Sequence, residues 1–295
     1  MLKQDEIFAG SVNQPVFHRA IVAVALSPSI QAVLNQSQRV LRTLGARPVL
    51  LHVGNDTPAA RAKLKAAIAA SGFGGQEPEL IIQPGQPADT IAAVASQQRA
   101  DLIITGAAKK ESLLRHFIGS VARHLAHKAP CSLLMMTGTA ADAGAFSRIH
   151  CEVEYDRPAH FAVEVAMGVA RRMRSREMIL THWFPLPVWE DKIDHARENS
   201  ELQRLFHHQD NRLRRFLTRF SVDGVRFRFQ CIHEQPLAGT LDFARDIDAD
   251  LMVIPGPRRQ TGIWDRLFRD NLEHLFKSLS GAILLTRRTR YRVRG

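Results

Sequence analysis

Four residues in the first half of the chain have the types and spacing needed to hold an anion: Gly106, Lys109, Gly119 and Ser120. Glycine lacks the Cβ that would keep a phosphate from the backbone. A helix that opens on Gly119-Ser120 and continues through Val121 presents unpaired backbone N–H groups and the positive end of its dipole. The Ser120 hydroxyl can cap that helix or bond a phosphate oxygen. Lys109 has two readings that stay open: a point charge on a phosphate, or, with Lys110, part of a solvated flexible loop. Leu102, Ile103 and Ile104 before Gly106 form a short apolar run, the pattern of a parallel strand covered on both faces. Thr105-Gly106 then falls at a strand's carboxyl end, where open parallel sheets bind their ligands.

The elements that must position these residues alternate between strand and helix. RAIVAVA (19–25) reads as a strand, and Ser27-Pro28 starts a helix that runs to about Leu44, where Gly45 stops it. PVLLHV (48–53) is a second strand, followed by a helix from about Pro58 to Ala70. ELIIQPG (79–85) is a third, and Pro87 opens a helix to about Gln98. The strand ending at Gly106, a mobile loop, the short helix and a fifth strand at 131–136 complete the unit. This alternation predicts an α/β fold around a parallel sheet, with right-handed crossovers placing helices on both faces.

The order Gly106, Ala107-Ala108, Lys109, nine residues from Lys110 to Ile118, then Gly119-Ser120 resembles the nucleotide signature of the universal stress protein family. That signature is glycine, two residues, glycine, nine residues, glycine, then serine or threonine; Lys109 stands in for its second glycine. The resemblance implies a Rossmann-like, doubly wound domain with strand order 3-2-1-4-5. It also implies weak binding of ATP, ADP or AMP at Val53, Thr105, Gly106, Lys109, Gly119, Ser120 and Val121. The family's aspartate after the first strand falls on Ala25, so that adenosine contact is missing, while the backbone contact after the second strand falls on Val53. Domains of the family commonly pair through their last strands. CSLLMM (131–136) and AILLT (282–286) are accordingly the expected seam of an internal pseudo-dimer.

The unit recurs in the second half. Pro28 is answered by Pro158 and LLHV (50–53) by LTHW (180–183), both 130 positions on. GQPADTI (85–91) is answered by EQPLAGTL (234–241), and RADLIITG (99–106) by DADLMVIPG (248–256), now about 149 positions on. The difference places an insertion at 190–220, where Ile193, Leu202, Leu205, Leu213, Phe216 and Leu217 recur at broadly helical spacing. Such a helix would cover its own domain's surface, the neighbouring domain or a protein partner. His207-His208, near His195, are adjacent on it and project in different directions, so no metal site is assigned. The second motif is degraded: after Gly256 come Arg258-Arg259, and Arg269-Asp270 replace Gly-Ser. Asp156 lies one position past the lost aspartate in the alignment anchored on Pro158, and a non-binding repeat is expected.

Composition bounds the remaining classes. The expected divisions are an extension (1–18), a first domain (19–136), a linker (137–148), a second domain (149–286) and a basic tail (287–295). No apolar run approaches the ~20 residues of a membrane span, and the N-terminus lacks a signal-peptide core, so a cytoplasmic location is expected. Cys131, Cys151 and Cys231 are sparse and read as reduced packing residues. A net charge of +11 invites nucleic acid, but no aromatic stacking platform accompanies it, and a solvated basic tail is the reading taken. Neither GxSxG, HExxH nor GxxxxGK[ST] occurs. The protein is expected not to be an enzyme; slow ATP turnover would lack an obvious base for water. An unidentified protein partner, held by a scaffold without nucleotide, is the rival reading.

Overall fold

A computed structural model of the protein describes residues 16–73, 78–106, 108–109, 116–117, 120–136, 146–185, 195–221, 224–233, 242–256 and 281–289. The first half runs β1 (Arg19–Val24), α1 (Ile30–Leu44), β2 (Arg47–Val53), α2 (Pro58–Ala69), β3 (Glu79–Gln83), α3 (Pro87–Gln97) and β4 (Leu102–Gly106). It continues with β5 (Ala108–Lys109), β6 (His116–Phe117), α4 (Ser120–Lys128) and β7 (Ser132–Met136). The second half has β8 (Arg148–Glu152), α5 (Arg157–Met173), β9 (Glu177–Phe184), α6 (His195–Leu217), β10 (Phe227–His233), β11 (Leu251–Pro255) and β12 (Ala282–Thr286).

Local chemistry sets the helix ends. Gly45 takes the left-handed conformation, φ 78°, and its N–H closes α1 on Leu41 O, the stop that glycine provides at little steric cost. The Thr57 hydroxyl accepts from Ala60 N at 3.1 Å and Pro58 follows in the first turn of α2. Asp156 does the same for α5, accepting from Ala159 N at 2.7 Å ahead of Pro158. That carboxylate therefore serves the helix rather than a ligand.

The strands form one ten-stranded sheet in the order β10-β9-β8-β11-β12-β7-β4-β1-β2-β3. Each half is a 3-2-1-4-5 parallel arrangement, as the resemblance implied. The halves join where β12 meets β7 antiparallel, Ala282 opposite Met136 and Leu285 opposite Leu133, so the expected seam is the observed one. Alternate seam residues feed two continuous cores. Leu134, Met136 and Leu284 pack with residues of α1, α2, α5 and α6 on one face. Leu133, Met135, Ile283 and Leu285 pack with α3 and α4 on the other. Because each core crosses the seam, the two halves share their buried apolar surface.

Three local readings change. The stretch after Gly106, expected to be a mobile loop, holds a two-residue antiparallel ladder, Ala108 opposite Phe117 and Lys109 opposite His116. Val16, Phe17 and His18, assigned to the extension, are packed: Phe17 is buried, and Val16 Cγ2 lies 2.9 Å from where a Cβ on Gly168 would stand. Finally, the basic tail begins with contacts to both halves, although Arg288 stays exposed to solvent. Arg288 pairs with Glu164 at 3.0 Å and sits over the Phe161 ring, while Arg287 reaches into the first half. The calls at Gly119, residues 1–15, 137–145, 190–194, 234–241, 258–259, 269–270 and 290–295 lie outside the described residues.

Candidate functional site

The first crevice lies at the carboxyl ends of β1, β2 and β4, where the strand order reverses between β1 and β4. Thr105 stands beside Ala23 of β1 and Met135 of β7, and Gly106 follows it. Val53 ends β2 opposite Gln83, and Ser120 opens α4, exposed to solvent. Val121 packs against the α3–α4 core. The structure thus gathers Val53, Thr105, Gly106, Ser120 and Val121 around the end of the sheet. Lys109 lies in the small β5–β6 ladder.

Two of these residues have properties that their types alone did not reveal. Thr105 is only 5% exposed and its Oγ1 has no hydrogen-bond partner among the described residues, a state that costs free energy in a buried hydroxyl. Strand alternation puts it on the same face as Ile103, toward α3 and α4. Gly106 has a packing reason of its own: a Cβ there would stand 2.5 Å from Val33 Cγ2 of α1. Its missing side chain is therefore taken up by α1.

Sequence reasoning passed over Leu26 and His52. Leu26, 41% exposed, is the one exposed large hydrophobic among the described residues, and it directly follows the position of the lost aspartate, Ala25. His52, next to Val53, uses Nδ1 to donate to Val24 O at 3.0 Å and so ties the ends of β1 and β2 together. The LLHV and LTHW match carried the signal, for His182 makes the same bond to Val153 O at 2.8 Å.

The duplication extends to other polar ties. Asp101 accepts from the N–H groups of His18 and Arg19, and Asp250 from those of Ser147 and Arg148. The guanidinium of Arg19 donates to Gln98 O, as that of Arg148 does to Ile247 O. These ties align Arg19 with Arg148, so Ala25 corresponds to Glu154 and Asp156 lies two positions beyond it.

In the second repeat, side chains of the same chain stack at the carboxyl ends of β8 and β9. Tyr155, just past β8, lies with its ring 4.3 Å from the His182 ring, and the Arg212 guanidinium of α6 covers it at 4.2 Å. Phe216 of α6 meets the Tyr155 ring edge-on at 5.6 Å. Burial pushes the Tyr155 phenol up and the His182 imidazole down, with Arg212 adding to the latter. Leu213, Phe216 and Leu217 are buried, so the apolar stripe of the inserted helix is used within its own repeat. Where β4 carries Thr105, β11 carries Ile254, fully buried.

Thr105, the main chain after β2 and β4, and the start of α4 stand at this end of the sheet. Among the described residues, no three His, Cys, Asp or Glu side chains are gathered as for a metal, and no helix is long and apolar enough to cross a membrane. The three cysteines are buried, and none forms a disulfide among the described residues. Burial raises the Cys131 and Cys151 thiols, which leaves them protonated and inert near neutrality.

Residues 55–137, which contain the whole Gly106-to-Ser120 stretch, match the universal stress protein family. A universal stress protein of Methanothermobacter thermautotrophicus is 39% identical over 54 residues, 18% of this chain; the chain spans 36% of the length of that curated relative. Among solved structures, a protein of unknown function from Pseudomonas aeruginosa superposes with a TM-score of 0.65 at 16% identity, covering 91% of this chain and 92% of the other. A universal stress protein from Archaeoglobus fulgidus gives 0.61 at 15% identity, covering 95% and 99%. These two likenesses are of fold, and they extend over both halves.

Proposed function

From the premise that this chain belongs to the universal stress protein family, we propose that its first repeat binds an adenine nucleotide weakly and its second repeat binds none. The protein then works in the stress response as a nucleotide-responsive module, without enzymatic chemistry of its own. Its units are residues 19–136 and 149–286, joined by 137–148.

The observation that carries this reading is the unpartnered, buried Thr105 hydroxyl next to Gly106. A buried hydroxyl without a partner is disfavoured unless something else supplies one. Ser120 at the start of α4 adds a second polar group at the same end of the sheet. In the second repeat the matching strand position is Ile254, and Arg212 stacks on Tyr155 past the end of β8. Exposed Leu26 offers an apolar surface of the kind that an adenine ring covers. The α6 stripe, spent on its own repeat, gives a partner scaffold no support.

Calorimetric titration of the full chain with ATP, ADP and AMP tests this. Saturable binding that is lost in Gly119→Arg is the expected result. No heat at millimolar nucleotide defeats the reading.

A further inference from the structure

We propose that Arg287, the first residue beyond the last strand of the second repeat, is a positioning residue for α4, so that the second repeat sets the ligand affinity of the first. The proposal rests on the nucleotide reading above, because α4 is the helix whose start faces the ligand.

The geometry is a clamp across the seam. The Arg287 N–H donates to Ser132 Oγ at 3.1 Å, and that hydroxyl donates back to Arg287 O at 3.3 Å. The guanidinium then spreads over the far end of α4: Nη2 donates to Ala126 O at 3.1 Å, and Nη1 to His127 O at 3.4 Å and to Ala129 O. The last carbonyls of a helix have no partners within it, and the negative end of its dipole favours a cation. A planar fork can hold several of them at once, where a lysine would hold one. Pinned there, α4 cannot slide or turn freely, and its start at Ser120, about 12 Å away along the axis, stays in place relative to Thr105 and Gly106.

Within the first repeat α4 packs buried Leu125 and Ala126 into the core it shares with α3, and its polar tie to α3 is Lys128 on Asp89, an exposed pair, which screening weakens. The cross-repeat clamp is the more sheltered of the two. It also runs one way. Ser132 sits beside Leu102 as Ala282 sits beside Leu251, so the position matching Ser132 is Ala282 and that matching Arg287 is Thr137. Neither can return the fork or its hydroxyl bridge. The neighbouring Arg288 goes to the opposite face of the sheet, onto Glu164 and Phe161 of α5, which makes it a matched control.

The test uses the full-length chain and ADP. Wild type, Arg287→Ala, Arg287→Lys and Arg288→Ala are compared by calorimetry and thermal unfolding. Arg287→Ala should weaken ADP about fivefold or more, a coupling of ordinary size, with Arg287→Lys between it and wild type. Arg288→Ala should bind as wild type does even if it melts earlier. ADP should also shift the Arg287 side-chain N–H signal of the wild-type protein in NMR, because the guanidinium is bonded to the far end of the helix that meets the ligand; that reading serves if Arg287→Ala does not fold. Wild type that binds ADP while Arg287→Ala binds equally well, or while the Arg287 signal stays still, overturns the clamp. Wild type that binds no ADP overturns the nucleotide reading itself, and the clamp's effect on affinity with it.

Discussion

Replacing Thr105 by Val should move stability and affinity in opposite directions. Valine keeps the shape of threonine and removes only the hydroxyl, which is buried and unpartnered in the ligand-free protein. An unsatisfied buried polar group costs about 1–3 kcal/mol. Its removal should therefore stabilise the empty chain by about 1 kcal/mol or more, raising the midpoint by roughly 2–4 °C for a domain of this size. If the hydroxyl meets a phosphate, the variant gives up a hydrogen bond to a charged group, about 1.5–3 kcal/mol, or roughly a ten- to hundredfold loss of affinity. Scanning calorimetry without nucleotide reads the first effect, and titration calorimetry reads the second. With nucleotide in excess, ligand linkage should shrink or reverse the variant's advantage. A Thr105→Val chain that melts below wild type without ligand would show that the hydroxyl has a partner inside the protein. Unchanged affinity would show that it does not face the ligand. Either result refutes the reasoning that picked out this position.

Two further outcomes follow from particular contacts. Burial holds the His150 imidazole down at about 3, against an ordinary 6.5, with Nε2 on Thr181 Oγ1 at 2.8 Å and Nδ1 unpartnered. A depressed folded-state value means that the unfolded chain takes the proton first. The stability His150 contributes is therefore full above pH ~6.5 and is lost as pH falls toward ~3, by up to about 1.4 kcal/mol per unit. His150→Gln should lack that slope, and parallel urea-unfolding stabilities for the two chains between pH ~7.5 and ~5 would argue otherwise. Gly106→Ala places a Cβ 2.5 Å from Val33 Cγ2, on a β-branched side chain with little freedom to turn away. It should cost about 1–3 kcal/mol, most of it recovered by adding Val33→Ala, and a melting point equal to wild type would remove the packing reason for this glycine.

The alternation of strand and helix and the duplication were legible in the sequence because each is written in short-range patterning, whereas the seam strands were implied by the family resemblance. Gly45, Thr57-Pro58 and Pro158 mark helix ends through chemistry within one turn. The candidate site was legible as a motif, since Gly106 and Ser120 keep their spacing. What the motif could not say is that Thr105 lacks a partner, or that Gly106 is demanded by Val33. Both depend on how α1, α3 and α4 settle against the sheet.

Sequence by itself determined which residues could stand at the strand ends and that one repeat kept a phosphate-binding pattern while the other lost it. Tertiary structure alone decided that Arg212 stacks on Tyr155 past the end of β8 and that Arg287 grips a helix of the other repeat. The physical reason is range. Periodicity and capping act over a few residues, whereas Arg287 and Ala126 meet only because β12 and β7 pair at the seam. An arginine in a run of arginines carries no local sign of the carbonyls it will find.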